Sequence, residues 1–202
     1  MDRTVRVTGT GSVQVAPDLA VLRVTAVHTA PAAVDALAGA ASASALAAER
    51  ASEYVEARHV GTSGVDLWPA HDHDGRPRGF EARHALTLTC TDLDRVGPLL
   101  DALAAALGER LRVDGISLRV ADAAAVRERA VRAAYDDARA RAERLATLAG
   151  AGLGPVVSLV EDDGHGGGMF LAAGAVGKAD LAIEPGEATV SASVTATWQL
   201  EV

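Results

Sequence analysis

The sequence predicts an α+β protein of mixed, largely antiparallel sheets and three helices, in the order ββαββαβαββ. Three observations carry this. Apolar residues alternate at a period of two near both ends of the chain, as on strands with one covered face. Three stretches between them repeat apolar residues at helical spacing, and the strand-like runs of the first half come in pairs joined by short segments rich in Pro, Asp and Gly. A doubly wound nucleotide-binding fold would alternate single strands with helices throughout, and is disfavoured.

Val5 to Val15 and Ala20 to Val27 read as strands separated by Ala16-Pro17-Asp18, a hairpin with a Pro-Asp turn. Gly9-Thr10-Gly11 superficially resembles a phosphate loop, but a strand follows it where a phosphate loop needs a helix. It implies a bulge or a close backbone approach. Pro31 to about His59 is an alanine-dominated helix with Val34, Leu37, Ala41, Ala45, Ala48 and Val55 on its apolar stripe, Pro31 in its first turn and Gly61 at its end. Val65 to Ala70 and Phe80 to Cys90 form a second hairpin around the turn-rich His71 to Gly79.

Asp92 is suited to cap a helix carrying Val96, Leu99, Leu100, Leu103 and Leu107 on one face, with Gly108 as its stop. Leu111 to Val120 is a strand containing Asp114-Gly115. Asp122 then caps a helix to about Ala149, on which Val126, Ala130, Ala134, Ala138, Ala142, Leu145 and Ala149 make a narrow buried stripe. Opposite that stripe, residues such as Arg127, Asp137, Arg139, Arg141 and Glu143 form a solvent face laced with ion pairs. Val156 to Val160 is a short strand. Asp162 to Asp180, with its glycine core, cannot pack a core of its own and reads as mobile, and Ala188 to Val202 is a long closing strand.

Composition narrows the function classes. The 202 residues suit one large domain or two closely packed lobes. With 49% hydrophobic but only 3% aromatic residues, the interior is expected to be Ala, Val and Leu. The net charge of −8 argues against a nucleic-acid-binding surface, which concentrates Lys and Arg. A lone cysteine, Cys90, excludes a disulfide within the chain and reads as a buried structural thiol. No apolar run of about 18 residues indicates a membrane span. Met1-Asp2-Arg3 leads directly into a strand pattern without an apolar leader, which points to the cytoplasm for the chain as it stands; a periplasmic or extracellular location requires that a leader was removed.

The sharpest local chemistry is His71-Asp72-His73-Asp74. Alternate histidines on an extended segment project to one side, so His71, His73 and Asp74 are candidate metal ligands, with His84 and His165 able to complete a set. Against this, a hairpin tip is polar for its own reasons, and two ligands without supporting hydrogen bonds hold a metal weakly. The polar-tip reading is preferred, and no metal site is assigned. No Gly-x-Ser-x-Gly elbow occurs, and Ser42, Ser44 and Ser52 read as small packing residues of the alanine helix. Glu161-Asp162-Asp163 is better taken as a solvated strand end than as an acid–base pair, and Trp68 and Trp198 as core or lobe-interface anchors. The expectation is a protein without catalytic residues or cofactor.

Five segments in combination carry a family likeness. They are Val7-Thr8-Gly9-Thr10-Gly11 with Val15-Ala16-Pro17-Asp18; Gly61 to Asp66 leading to Trp68-Pro69; Gly79-Phe80-Glu81-Ala82; Ala138 to Ala146; and Ile183-Glu184-Pro185-Gly186-Glu187 before the last strand. In this order they resemble the SIMPL-domain family, which includes bacterial periplasmic immunogenic proteins and a kinase-binding protein of animals. The resemblance implies two interlocked lobes, one of them like an α/β plait around Asp92 to Val160 and the other assembled from both termini. The expected boundaries are about 1–90 plus 181–202 for the first lobe and 91–161 for the second, with the glycine-rich segment 162–180 between. It further implies homo-oligomers, a possible protein partner and a non-enzymatic, stress-related role; the alternative is a metal- or small-ligand-binding stress protein using the His71–Asp74 tip. Read as leaderless, the chain is expected to depart from the bacterial members.

Overall fold

The computed structural model describes residues 3–162, 170–171 and 185–201. Its strands are β1 (Thr4–Val15), β2 (Leu19–Ala30), β3 (Val60–His71), β4 (Pro77–Cys90), β5 (Leu111–Arg119), β6 (Gly152–Glu161), β7 (Phe170–Leu171) and β8 (Ala188–Glu201). Among the described residues there are three α-helices, α1 (Ala33–Ala51), α2 (Val96–Leu107) and α3 (Ala123–Leu148). The expected order of elements is present, with the two-residue β7 added. The expectation for the segment 162–180 falls largely outside the described residues, as does His165.

The described residues divide into two compact units, one holding 17–119 with Pro185 and the other 3–16, 120–162 and 186–201 with the β7 pair. This division differs from the expected lobes: α3 goes with the terminal strands, and α2 with β2 to β5. The reason lies in β2. It buries Ala20, Leu22, Val24 and Ala26 on one face and Thr25 and Val27 on the other, which suits a central strand with neighbours on both sides. β1 alternates strictly with Thr4, Arg6, Thr8, Thr10, Ser12 and Gln14, which suits an edge. The expected β1–β2 hairpin is therefore absent: β1 pairs with β8, whereas β2 pairs with β4 and β5. Ala16-Pro17-Asp18 is a crossover between units. Asp18 N–H donates to Arg119 O at 3.0 Å, closing the continuous unit where the chain enters and leaves it.

That unit has the antiparallel sheet order β3-β4-β2-β5 and the chain order β2-α1-β3-β4-α2-β5, a split βαβ plait. The plait thus spans 17–119 and not Asp92 to Val160. Its core joins Leu22, Val24, Leu86 and Leu88 of the sheet to the α2 stripe Val96, Leu99, Leu100, Leu103 and Leu107, all buried as the spacing predicts. Asp92 caps the entry to α2 through a 3-10 turn by accepting from Asp94 N–H at 3.1 Å. Gly108, at φ 55°, supplies the left-handed residue that ends the helix.

Helix α1 lies on the same sheet but with a different face than its larger residues indicate. Ala36, Ala40, Ala43, Ser44, Ala47 and Ala51 are buried, while Ala41 and Ala45 are exposed, Val34 is 70% exposed and Leu37 38%. Small side chains let the helix settle close to the strands: a Cβ at Gly39 would overlap the His28 ring beneath it. The α1 stripe expected from sequence is corrected accordingly. The helix also ends at Ala51, with Ser52 as its cap donating to Glu49 O at 2.6 Å.

In the other unit β8 is central, between β1 and β6, and β7 pairs with Thr189 and Ala188 beyond the end of β6. α3 packs on β1 and β8 through Val126, Ala130, Ala134, Ala138, Ala142 and Ala146. The last turn departs from expectation, Ala146 being buried and Leu145 47% exposed. Asp122 caps the helix by accepting from Ala125 N–H at 2.8 Å. Gly9 and Gly11 explain the fit. A Cβ on Gly9 would strike Ala134 O and Ala138 N, and one on Gly11 would strike Ala130 O and Ala134 N. The Gly9-Thr10-Gly11 step is therefore a close backbone approach in an unbroken register, not a bulge.

Candidate functional site

Strand β6 is the outer strand of its sheet among the described residues, where it pairs only with β8. Because α3 covers chiefly β1 and β8, β6 extends beyond the helical layer. Val156 is 42% exposed, Val157 56%, Leu159 56% and Val160 49%, so apolar side chains stand in water on both faces of one edge strand. In its first half, Pro155 and the register shifts between Leu153, Val156 and Ser158 interrupt pairing. Ser158 to Glu161 remains as a continuously paired stretch. Its first charge is Glu161, which is held by Arg127 of α3 at 2.6 Å.

The opposite edge of the same sheet is built differently. Arg3 O accepts from Leu200 N–H, so the odd-numbered positions of β1 bond to β8 and the even-numbered ones direct their backbone groups outward. Two of these outward groups are occupied by side chains of α3: Thr10 N–H donates to Asp137 Oδ2 at 3.0 Å, and Arg141 Nη1 donates to Thr8 O at 3.1 Å. Asp137 and Arg141, one helical turn apart, are themselves paired at 2.9 Å. On the other face of β1, Thr8 Oγ1 lies 2.8 Å from Thr195 Oγ1, which in turn donates to Asp162 Oδ2 at 3.0 Å.

The candidate ligands at the β3–β4 tip do a different job. Asp72 Oδ1 accepts from the backbone N–H of Asp74 at 3.0 Å and of Arg76 at 2.9 Å, so this carboxylate folds the turn. His71 is exposed, and His73, 90% exposed, lies 3.6 Å from Asp74 Oδ1. His84 is apart from them on β4, within hydrogen-bond reach of Thr62 at 3.1 Å. Among the described residues no group of three or more His, Cys, Asp or Glu is arranged to hold a metal.

Cys90 is buried, and its thiol donates to Asp92 O at 3.0 Å. Ser44 is buried as a packing residue, whereas Ser42 is exposed. Trp198 is a core anchor, 2% exposed with Tyr135 6.3 Å away. Trp68 is not: it is 43% exposed on the plait's outer strand β3, with the Arg83 guanidinium 4.8 Å over its ring and Glu81 holding Arg83 at 2.8 Å. A shallow open groove between α1 and α2 is lined by Leu46, Arg50, Glu53, Ala102, Ala105 and Ala106. Among the described residues no helix is long and apolar enough to cross a membrane.

Sequence reasoning identified β6 as a strand but missed its edge and the roles of Asp137 and Arg141. The available signal was Val156-Val157-Ser158-Leu159-Val160, apolar at both parities without the polar alternation of a half-covered strand.

The family model described as SIMPL, protein of unknown function (DUF541), matches residues 5–198. The uncharacterized protein YggE of Escherichia coli (strain K12) is 33% identical over 163 residues, covering 75% of this chain and 62% of its own length. The YggE proteins of Escherichia coli O157:H7 and Shigella flexneri match with the same identity and coverage. The matched stretch thus spans less than two thirds of these relatives.

Proposed function

From the premise that the chain belongs to the SIMPL family, we propose that it is a non-catalytic, self-assembling protein that makes protein contacts through β6, the outer strand of its terminal-strand sheet among the described residues. The observation that carries this reading is the exposure of Val156, Val157, Leu159 and Val160 on β6. Natural edge strands are usually blunted by charge, proline or cover, and an edge left apolar on both faces is a template for strand addition. The backbone of a partner strand supplies hydrogen bonds, and the Val and Leu side chains supply apolar area on either side. Stress-related work, the role implied by the family resemblance, would then consist of assembly or capture and not of turnover.

The test is size-exclusion chromatography with light scattering across a concentration series, on the wild type and on Leu159→Lys. The expected result is a multimer of the 20.6 kDa chain that shifts toward monomer in Leu159→Lys, since a buried ammonium on an apolar strand pairing is unfavourable. A wild type that remains at 20.6 kDa over the whole series would exclude self-assembly.

A further inference from the structure

The two edges of the sheet containing β8 are unequal. Among the described residues β6 is apolar and open, and β1 has its central outward backbone groups taken by an ion pair on α3. The geometry of β1 shows what the pair does to a newcomer. An added strand would bond to the even-numbered positions of β1, and at the middle of that row it would have to displace the Asp137 carboxylate from Thr10 N–H and the Arg141 guanidinium from Thr8 O. It would then have to accommodate both ions with only each other as partners. The β6 edge carries no ionic side chain between Gly152 and Val160, and its Glu161 is engaged by Arg127, so it offers neither ion a replacement for the backbone contact it loses.

Two modes of joining sheets through β6 can be distinguished by symmetry. Pairing of β6 with β6 of a second copy uses the same edge twice and closes. Pairing of β6 with β1 of a second copy leaves a free β1 at one end and a free β6 at the other, and so repeats without limit. The closed mode suits β6 because it sets the exposed Val156, Val157, Leu159 and Val160 of one copy against the same apolar side chains of the other.

We propose that Asp137 and Arg141 guard the β1 edge: by holding Thr10 N–H and Thr8 C=O they bar the β6 edge of a second copy from adding to β1, so that association through β6 closes instead of running on as an open polymer. The proposal rests on the reading of β6 as the contacting edge. Its own content is the assignment of the ion pair.

Two measurements test it. In the wild type, amide hydrogen exchange should show Thr10 N–H protected about tenfold or more over its outward neighbours Thr8 and Ser12. Exchange at Thr10 as fast as at those neighbours would remove the guard outright, and this readout needs no variant. Second, Asp137→Ala/Arg141→Ala should form species whose mass grows with concentration without limit, and adding Leu159→Lys should abolish that growth. A folded double variant with the wild-type mass distribution, or a polymer that survives Leu159→Lys, overturns the proposal. Should the alanine pair fail to fold, Asp137→Asn/Arg141→Gln keeps the size and replaces the charges. A wild type that is monomeric throughout overturns the assembly reading alone, since growth of the double variant that Leu159→Lys abolishes still decides the guard.

Discussion

At the scale of single residues, the fit of β1 to α3 depends on two missing methyl groups. Since a Cβ on Gly9 would meet backbone atoms of Ala134 and Ala138, neither of which can swing aside as a side-chain tip does, Gly9→Ala should destabilise the protein by about 1–3 kcal/mol, the range for overpacked sites. Gly61 has open space around the same position, and Gly61→Ala should stay within about 0.5 kcal/mol of the wild type. Urea denaturation of the two variants side by side checks both. Equal stabilities would mean that α3 moves away from β1 at little expense. Glycine-x-glycine in a strand was legible in the sequence as a bulge or a close approach; only the continuous pairing of Thr4 to Val15 with β8 decides for the latter. Cys90 was equally legible, because an apolar thiol in an alternating run has one natural place.

At the scale of elements, legibility followed side-chain size. On α2, leucines at helical spacing left one face to bury, and every residue of that stripe is buried. α1 offered alanine nearly all round, and alanine suits either side of a helix. The largest residues, Val34 and Leu37, pointed to one face, whereas close packing against the strands selected the smallest. Leu37→Gln should therefore change stability by no more than about 0.5 kcal/mol, while Ala40→Leu should lower it by about 1–3 kcal/mol. Thermal melting of the pair separates the two faces, and the opposite ranking would mean the helix is rotated in solution. The edge character of β6 was not legible, because which strand is outermost depends on pairings between residues far apart in the chain. Leu159 of β6 and Ala196 of β8, for example, are partners although β7 lies between them in the chain. The His71–Asp74 tip shows the converse. Its residue types fitted a metal, and its geometry uses Asp72 to close a turn.

At the scale of the molecule, the plait from Pro17 to Arg119 is a continuous insertion between the first strand and the rest of the other unit. It contains both neighbours of β2, both covering helices and the Asp18–Arg119 closure, so the fragment 17–119 is expected to fold alone, with a cooperative melt by circular dichroism. Ending the chain before Ala188 removes the central strand of the other sheet and separates β1 from β6. Such a truncation should lose protection along β1 and α3 while the plait keeps its own, which hydrogen exchange resolves unit by unit. A truncated chain with α3 still protected would refute the arrangement. The order of elements along the chain was legible almost entirely; the partition into units was not, since consecutive strands usually pair, and β1 and β2 do not.

The pairing of β1 with β8 also imposes an order of events during synthesis. β1 is made before the plait, and its partner strand β8 after it. At a translation rate of about 5–20 residues per second, β1 waits on the order of ten seconds or more for β8, and the plait is complete for much of that interval. Throughout it, β1 is a tethered strand with no sheet to join, and its Thr, Ser, Gln and Arg side chains keep one of its faces wettable while it waits.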